Sequence, residues 1–285
     1  MWDYTWAIDH ATSAANHLTD GSEAIVNSRR LPKIGLILGT GWGDVLRLEE
    51  SRQMSIAELA RRMVLKAPDE LQGHRRIIEC GTLAGNQVIA LRGRVHLNEH
   101  PTDPAVPLWV RLQVEMLLAL GVKTFILTNA AGALEKRANV GDVVIADGFV
   151  TVFAPPMPLF AGEFFSPEDL LTSEGGIQLA EVALSAAKES RLTARKGAYA
   201  MMRGPFFEGR AYDKRFIAMA GATVVGMSTL PEACVIATKK ETRALCVSFV
   251  TNSDSEEHSH EENLMRAKIS AQQLSNFLTR IVSRI

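Results

Sequence analysis

The stretch Lys123-Thr124-Phe125-Ile126-Leu127-Thr128-Asn129-Ala130-Ala131-Gly132-Ala133-Leu134 decides the fold class of this chain. Its first half is a β-rich apolar run, which favours a strand buried on both faces of a parallel sheet. Its second half ends in small residues that leave the backbone exposed. Since ligands in an open α/β sheet lie just beyond the carboxyl ends of strands, Ala130, Ala131 and Gly132 are predicted to form a ligand floor. A closely packed turn without a ligand is the alternative.

Strand-like and helix-like segments alternate on both sides of this stretch, as is typical of the α/β class. Because no repeat or linker interrupts them, we expect a single domain over residues 1–285, with a mixed, twisted central β-sheet flanked by helices. The predicted strands are Ile34–Leu38, Arg75–Cys80, Gln87–Leu91, Phe125–Thr128, Asp142–Val152, Ala198–Met202, Thr223–Val225 and Ala244–Val250, of which the second and third form a hairpin. The predicted helices are Trp6–Val26, Val106–Leu120, Gly176–Ser190, Glu208–Ala220, Pro231–Lys240 and a closing helix from about Glu261.

Composition and charge narrow the class of protein. The chain has 285 residues, of which 47% are hydrophobic and 22% charged, so a folded domain is expected rather than disorder. A net charge of -1 gives no electrostatic reason to expect a nucleic-acid partner. No apolar run approaches the roughly 18 residues of a membrane span, and no signal peptide is expected. The three cysteines lack metal-ligand spacing and indicate reduced thiols. We therefore expect a cytoplasmic protein without a membrane partner.

Two segments that follow predicted strands could bind an oxyanion. Gly39-Thr40-Gly41-Trp42-Gly43 combines glycines, which permit close approach of the backbone, with the hydroxyl group of Thr40. Arg92-Gly93-Arg94-Val95-His96 places Arg94 and His96 on the same side of an extended segment, where a guanidinium can bind phosphate through two hydrogen bonds. The alternatives are a plain turn for the first segment and a solvated basic edge for the second.

Three further segments after predicted strands carry candidate ligand contacts. In Gly204-Pro205-Phe206-Phe207-Glu208, an aromatic ring beside a carboxylate suits a flat heterocycle. The alternative is a helix N-terminus, where the dipole favours Glu208. The other two segments are Gly226-Met227-Ser228-Thr229 and Val250-Thr251-Asn252-Ser253-Asp254, for which a core methionine and a capping serine are the alternatives.

Glutamates and histidines are concentrated between Glu256 and Glu262. Such side chains can bind a metal ion, but at the start of a predicted helix they are typical of a polar first turn. We therefore expect no metal site in this segment.

Taken in order, these segments resemble the trimeric purine nucleoside phosphorylase family from about Ile34 to the C-terminus. The motifs that carry the resemblance are Asn129-Ala130-Ala131-Gly132, Gly204-Pro205 through Phe207-Glu208, Gly226-Met227-Ser228-Thr229-Leu230-Pro231-Glu232, Thr251-Asn252, Gly73-His74 and Arg94-Val95-His96. The resemblance implies the nucleoside phosphorylase fold and reversible phosphorolysis of a purine nucleoside to the free base and ribose 1-phosphate. It implies no metal or organic cofactor, because inorganic phosphate is the co-substrate.

The resemblance also implies a role for each candidate residue. Phosphate would be held by Thr40, His74, Arg94, His96, Ser228 and the backbone of Ala130. The base would be held by Ala131, Gly132, Phe207, Glu208, Asn252 and Asp254. The ribose would be contacted by Met227, Asn98 and His260. Asn252, His96 and Glu208 are the predicted catalytic residues. Asn252 would donate to purine N7 as negative charge builds there, and donors preset for developing charge are usually the largest catalytic term.

The sequence departs from the family pattern near the ribose site. Asn98 stands where the family usually has a tyrosine that contacts the ribose, and the segment Glu99–Val106 is longer than usual. The stretch between Asn252 and His260 is shorter, so His258 is an alternative to His260. The geometry of the ribose wall therefore stays open.

The predicted base preference depends on three polar side chains. Glu208 can accept a hydrogen bond from the N1–H of a 6-oxopurine and Asn252 can serve O6 and N7, which favours inosine and guanosine. Asp254 matches one of two aspartates of the related methylthioadenosine phosphorylases, so a 6-aminopurine nucleoside or methylthioadenosine is an alternative substrate. A non-catalytic purine nucleoside-binding protein is the alternative from another functional class.

The resemblance implies a homotrimer in which a phenylalanine of a neighbouring subunit closes each site. The loop between Pro155 and Pro167 contains several aromatic residues, which suggests packing against another subunit. Phe164 or Phe165 is the predicted crossing residue.

Overall fold

The structure is a computed structural model that describes residues 4–20, 32–66 and 76–285, except 101, 136, 161, 164, 205, 210, 211, 254–264 and 267. Its strands are β1 (Ile34–Leu38), β2 (Glu49–Ser55), β3 (Ile77–Leu83), β4 (Asn86–Arg92), β5 (Thr124–Ala133), β6 (Val143–Val150), β7 (Ala194–Met201), β8 (Ala222–Gly226) and β9 (Arg243–Asn252). Its helices are α1 (Tyr4–Asp20), α2 (Ile56–Arg62), α3 (Ala105–Ala119), α4 (Asp169–Thr172), α5 (Glu174–Glu189), α6 (Asp213–Met219), α7 (Leu230–Ala237) and α8 (Ala271–Val282).

The described strands form one nine-stranded mixed sheet in the order β2-β3-β4-β1-β5-β8-β7-β6-β9. β1 lies parallel to β4 and β5, and β5 lies parallel to β9. The β3–β4 pair is the predicted antiparallel hairpin. Because β9 pairs with both β5 and β6, strands β5, β8, β7, β6 and β9 close into a ring. The α/β class and the mixed sheet are confirmed, whereas the closed ring was not predicted.

Strand β5 lies at the centre of the sheet. It corresponds to the first half of the stretch from Lys123 to Leu134, which was predicted to be a strand buried on both faces. Phe125 and Leu127 belong to one hydrophobic cluster and Ile126 to another, so successive side chains pack on opposite faces. The strand is longer than predicted because it continues through the small residues. Ala130 pairs with Phe249 of β9, and the backbone beyond Thr128 is therefore sheet rather than turn.

The structure differs from the predicted elements in several places, of which two bear on the sheet edge and the site. β2 was missed because its first five residues are exposed, so this edge strand shows no apolar alternation. The short helix α2, which follows β2 directly, was missed as well. The predicted helix over 208–220 is shorter, since α6 begins at Asp213 and Glu208 belongs to the loop before it. The predicted start of the closing helix, near Glu261, lies outside the described residues. Among those residues, no helix is long and apolar enough to cross a membrane.

Candidate active site

A cavity of about 260 Å³ lies where the strands that carry the candidate motifs end. The segments after β1, β4 and β7 contribute to its wall, together with the ends of β5, β8 and β9. The structure thus brings together segments that are far apart in sequence, as expected for a site at the edge of an α/β sheet. The predicted site residues that line the cavity are Thr40, His96, Asn98, Ala130, Ala131, Gly132, Phe207, Glu208, Met227, Ser228 and Asn252.

Arg94 was predicted to hold phosphate directly, but it does not line the cavity. Its side chain is fully buried, and its guanidinium donates hydrogen bonds to the Thr128 carbonyl oxygen, the Thr229 hydroxyl and Glu232. The Arg94 Nη1 to Glu232 Oε1 distance is 3.2 Å. A guanidinium bound to a buried carboxylate is held by a charge-assisted bond, so Arg94 is part of the support behind the site in this arrangement.

Several predicted residues lie outside the described part of the chain. These are His74, Asp254, His260, its alternative His258, and Phe164. Phe165 is described and packs, partly buried, against the hydrophobic core of its own chain. The prediction that one of the two phenylalanines closes a neighbouring site stays a prediction.

The turn that presents Thr40 is fixed directly against β5. A Cβ atom at Gly39 would lie 2.5 Å from the Thr128 carbonyl oxygen and 2.6 Å from Arg94 Nη2, so only glycine fits there. The Gly39 N–H donates to Thr128 Oγ1 over 3.2 Å, and the Trp42 indole N–H donates to the Asn129 carbonyl oxygen over 2.9 Å. Trp42 is fully buried, so the turn is anchored on both sides of Thr40. Gly39 therefore permits close packing against β5, and the predicted approach of this turn to an oxyanion stays a prediction.

The amide of Asn252 has a defined orientation. The Thr251 hydroxyl donates a hydrogen bond to Asn252 Oδ1 over 3.1 Å. The amide nitrogen then faces Gly132, because a Cβ atom at Gly132 would lie 2.7 Å from Asn252 Nδ2. Asn252 is 3% exposed and lines the cavity together with Gly132, so its amide lies within the wall of the site.

Ser228 is held by a tyrosine that sequence reasoning missed. Tyr199 is fully buried; its hydroxyl donates to the Ser228 carbonyl oxygen over 2.8 Å and accepts from the Ser228 N–H over 3.2 Å. Burial raises the pKa of Tyr199 well above its ordinary value, so the hydroxyl keeps its proton. Both backbone groups of Ser228 are thereby fixed.

Asn98, a predicted ribose contact, forms hydrogen bonds to two loops of the cavity. Its Oδ1 atom accepts a hydrogen bond from the Gly204 N–H over 3.1 Å, and its Nδ2 atom donates to the Met227 carbonyl oxygen over 3.4 Å. A Cβ atom at Gly204 would lie 2.7 Å from Asn98 Cγ. Asn98 therefore lines the predicted ribose side and connects the Gly204 loop to the Met227 loop.

Glu99 also lines the cavity and was not predicted as a site residue. One of its carboxylate oxygens accepts the His96 N–H over 2.8 Å, and the other accepts a hydrogen bond from Arg76. Burial raises the pKa of Glu99 above its ordinary value, although the bonds from His96 and Arg76 act in the opposite direction. The available signal was its position three residues after His96, which suits a turn that returns to the backbone of the same segment.

The described residues contain no candidate metal centre, and the three cysteines are not reactive thiols. Within the described ranges, no group of three or more His, Cys, Asp or Glu residues could hold a metal ion. Cys80, Cys234 and Cys246 are free and buried, and burial raises the pKa of each thiol to about 12. Their thiols are therefore protonated at neutral pH and poor nucleophiles.

The comparisons with known proteins agree with this geometry. The Phosphorylase superfamily model matches residues 33–283. Purine nucleoside phosphorylase 1 of Bacillus subtilis is 32% identical over 225 residues, which cover 78% of this chain and 79% of that protein. Purine nucleoside phosphorylase of Bos taurus is 27% identical over 282 residues, 91% of each chain. The crystal structure of Schistosoma mansoni purine nucleoside phosphorylase in complex with adenosine aligns with a TM-score of 0.78 at 25% identity, over 97% of each chain. The chain belongs to the phosphorylase superfamily and, within it, to the purine nucleoside phosphorylase family.

Proposed function

We propose that this chain catalyses the reversible phosphorolysis of inosine and guanosine to the free 6-oxopurine and ribose 1-phosphate. The observation that carries the proposal is that Glu208 and Asn252 both line the same cavity. A carboxylate accepts the N1–H of a 6-oxopurine, and an amide N–H donates to N7. The cavity thus offers one acceptor and one donor to the edge of a flat base, while Phe207 supplies an aromatic ring.

The proposed role of Asn252 follows from the charge that develops in the reaction. Cleavage of the glycosidic bond leaves negative charge on the departing purine and oxocarbenium character on the ribose. A donor preset near N7 stabilises the transition state more than the ground state, and loss of such a donor costs about 3 kcal/mol. The bond from Thr251 supports this role, because it orients the Asn252 amide before a substrate binds.

The proposed phosphate site consists of Thr40, His96, Ser228 and the backbone N–H of Ala130. The hydroxyl, imidazole and amide groups are donors of the kind that bind phosphate oxygens. Phosphate held beneath C1′ is both nucleophile and counter-ion to the cationic sugar. His74 is assigned to the same site by the family resemblance, whereas Arg94 supports it from behind through the Thr128 carbonyl oxygen.

The proposed enzyme is a cytoplasmic homotrimer that needs no metal or organic cofactor. Phosphate and a purine nucleoside are its substrates, and Met227, Asn98 and His260 are the proposed ribose contacts. The buried, unpaired cysteines support a reducing compartment. The trimer rests on the resemblance to the family.

A 6-aminopurine nucleoside is the second candidate substrate. The Schistosoma mansoni relative was solved in complex with adenosine. Asp254 supports methylthioadenosine through the resemblance, but Asn252 favours the 6-oxopurines. A non-catalytic nucleoside-binding protein is the third candidate.

The test is phosphorolysis of inosine, guanosine, adenosine and methylthioadenosine, each with and without phosphate. We expect phosphate-dependent release of hypoxanthine and guanine, with little release of adenine. Activity on adenosine or methylthioadenosine alone would overturn the assigned base preference. Absence of phosphate-dependent cleavage for all four nucleosides, together with stabilisation by purine in thermal denaturation, would favour the binding protein.

A further inference from the structure

A buried lysine lies directly behind the carboxylate that is proposed to bind the base. The Nζ atom of Lys214 is 3.6 Å from Glu208 Oε1, and the two side chains are 5% and 6% exposed. Burial of a lone ammonium group is costly, so lysines are fully buried almost only when they are paired. The position of Lys214 is therefore explained by the charge of Glu208.

The backbone fixes the relative position of the two side chains. The Lys214 N–H donates to the Gly209 carbonyl oxygen over 3.1 Å, and the Gly209 N–H donates to Asp213 Oδ2 over 2.8 Å. The start of α6 is thus hydrogen-bonded in both directions to the residue that follows Glu208. Lys214 thus approaches one carboxylate oxygen of Glu208, and the same side chain lines the cavity.

We propose that Lys214 is a positioning residue that sets the preference for 6-oxopurines by fixing the Glu208 carboxylate in the cavity wall as an acceptor for the base. This inference rests on the proposed function, since Glu208 must bind the base. An ionised carboxylate can accept the N1–H of hypoxanthine or guanine. Adenine has no N1–H and presents a lone pair at N1, which the carboxylate repels. The ion pair with Lys214 holds this acceptor in place, so loss of the pair should weaken both the bond to N1–H and the repulsion of adenine.

The test compares Lys214→Met, which removes the charge, with Lys214→Arg, which keeps it. The matched control is Lys196→Met, at an exposed lysine paired with Glu181. The measurements are kcat/KM for inosine and adenosine, KM for phosphate, and calorimetric affinities for hypoxanthine and adenine. In Lys214→Met we expect the inosine-to-adenosine ratio of kcat/KM to fall by about tenfold or more, since a site loses selectivity when the polar group that reads the substrate is no longer held in place. Lys214→Arg and Lys196→Met should keep the wild-type ratio, and KM for phosphate should be unchanged in all three variants.

An unchanged ratio in Lys214→Met would overturn the proposal, as would an equal loss of activity on both nucleosides with a raised KM for phosphate. If Lys214→Met does not fold, the double variant Glu208→Gln, Lys214→Met removes both buried charges and should fold, because a neutral buried pair leaves no unpaired ion. In that variant the preference for hypoxanthine over adenine should be lost, and retention of the preference would contradict the proposal. Failure of the proposed function gives a different result, since the wild-type protein would then cleave none of the nucleosides.

Discussion

At the scale of single residues, the cavity depends on three glycines, each of which leaves room for a different polar side chain. A Cβ atom would lie 2.7 Å from Asn252 Nδ2 at Gly132, 2.7 Å from Asn98 Cγ at Gly204, and 2.5 Å from the Tyr199 hydroxyl at Gly226. None of these glycines has a left-handed φ, so the requirement is space rather than backbone freedom. Each missing methyl group thus allows a polar side chain to be fixed against the wall of the site.

The most direct test at this scale is Gly132→Ala. The added methyl group would displace the Asn252 amide from its position, and a displacement of about 1 Å can lower the rate on the order of 100-fold. We expect that loss in kcat/KM for inosine, with a small change in the free energy of unfolding because the displaced amide borders the cavity. The control is Gly43→Ala, where a Cβ atom would meet nothing within 4 Å. A wild-type value of kcat/KM for inosine in Gly132→Ala, measured by steady-state kinetics, would contradict the role of the contact between Gly132 and the Asn252 amide.

Single residues also show where sequence reasoning ends. The small residues Ala130, Ala131 and Gly132 could be predicted as a ligand floor, because small side chains at the end of a buried strand leave its peptide groups accessible to a ligand. Their partners could not be predicted, since Asn252 is 120 positions from Gly132 and only the β5–β9 pairing brings them together. The burial of Arg94 behind the cavity could not be predicted for the same reason. Its partner Glu232 is 138 positions away in the sequence.

At the scale of elements, the segment between β4 and α3 positions His96, the proposed catalytic histidine, in the cavity wall. The His96 N–H donates to Glu99 Oε1, and the Glu99 N–H donates to the His96 carbonyl oxygen over 3.2 Å. The other carboxylate oxygen accepts from Arg76, which precedes β3. The Arg76 and Glu99 side chains are each 4% exposed. A buried ion pair therefore connects this turn to the neighbouring strand.

Replacement of Glu99 by alanine should open the turn and leave a buried guanidinium without its carboxylate. Removal of one partner of a buried pair costs about 3–5 kcal/mol, so we expect a loss of that size in the free energy of unfolding from urea denaturation. The control is Glu58→Ala, which removes an exposed pair with Arg62 within α2. Exposed pairs contribute about 1 kcal/mol or less. A loss for Glu99→Ala no larger than that for the control would show that the pair contributes nothing to this turn.

The elements that were missed or mispredicted share a physical cause. β2 is a polar strand at the edge of the sheet, and its position depends on pairing with β3 rather than on an apolar pattern. α6 is shorter than its helical pattern because Glu208 is taken into the cavity wall and paired with Lys214. Periodicity predicts elements that pack against a core, and it fails where tertiary pairing or the site determines the backbone.

At the scale of the whole molecule, alternation of strands and helices was enough to predict an α/β protein. It was not enough to predict that half of the sheet closes into a ring. The closure depends on β9, which lies parallel to β5 and antiparallel to β6. Those pairings join segments about 100 residues apart, as the registers Val143 to Phe249 and Thr124 to Arg243 show. No local sequence pattern predicts these pairings. Because the cavity lies at the ends of the same strands, its formation depends on these long-range pairings as well.

An exposed apolar face on α6 bears on the proposed trimer. Tyr212, Phe216 and Met219 follow helical spacing, and their exposed fractions are 83%, 60% and 77%. The Phe216 ring meets that of Phe153 edge-on, with the ring centroids 5.6 Å apart, and Val152, the residue before Phe153, is 76% exposed. Contiguous exposed apolar side chains of this kind mark contact surfaces more often than isolated ones do. Since this face directly follows the loop that carries Glu208, we expect it to be covered by a second copy of the chain.

Replacement of Phe216 by lysine tests that expectation. A lysine buried in an apolar contact costs several kcal/mol, or about a hundredfold or more in the association constant, so the variant should sediment as a smaller species than the wild type. Its folding should be preserved, because the replaced ring is largely exposed within one subunit. The control is Ile177→Lys, which makes the same kind of change at a residue of α5 that is 49% exposed. If both variants sediment as the wild type does, the α6 face is not a contact between subunits, and the proposed trimer would have to form through another surface.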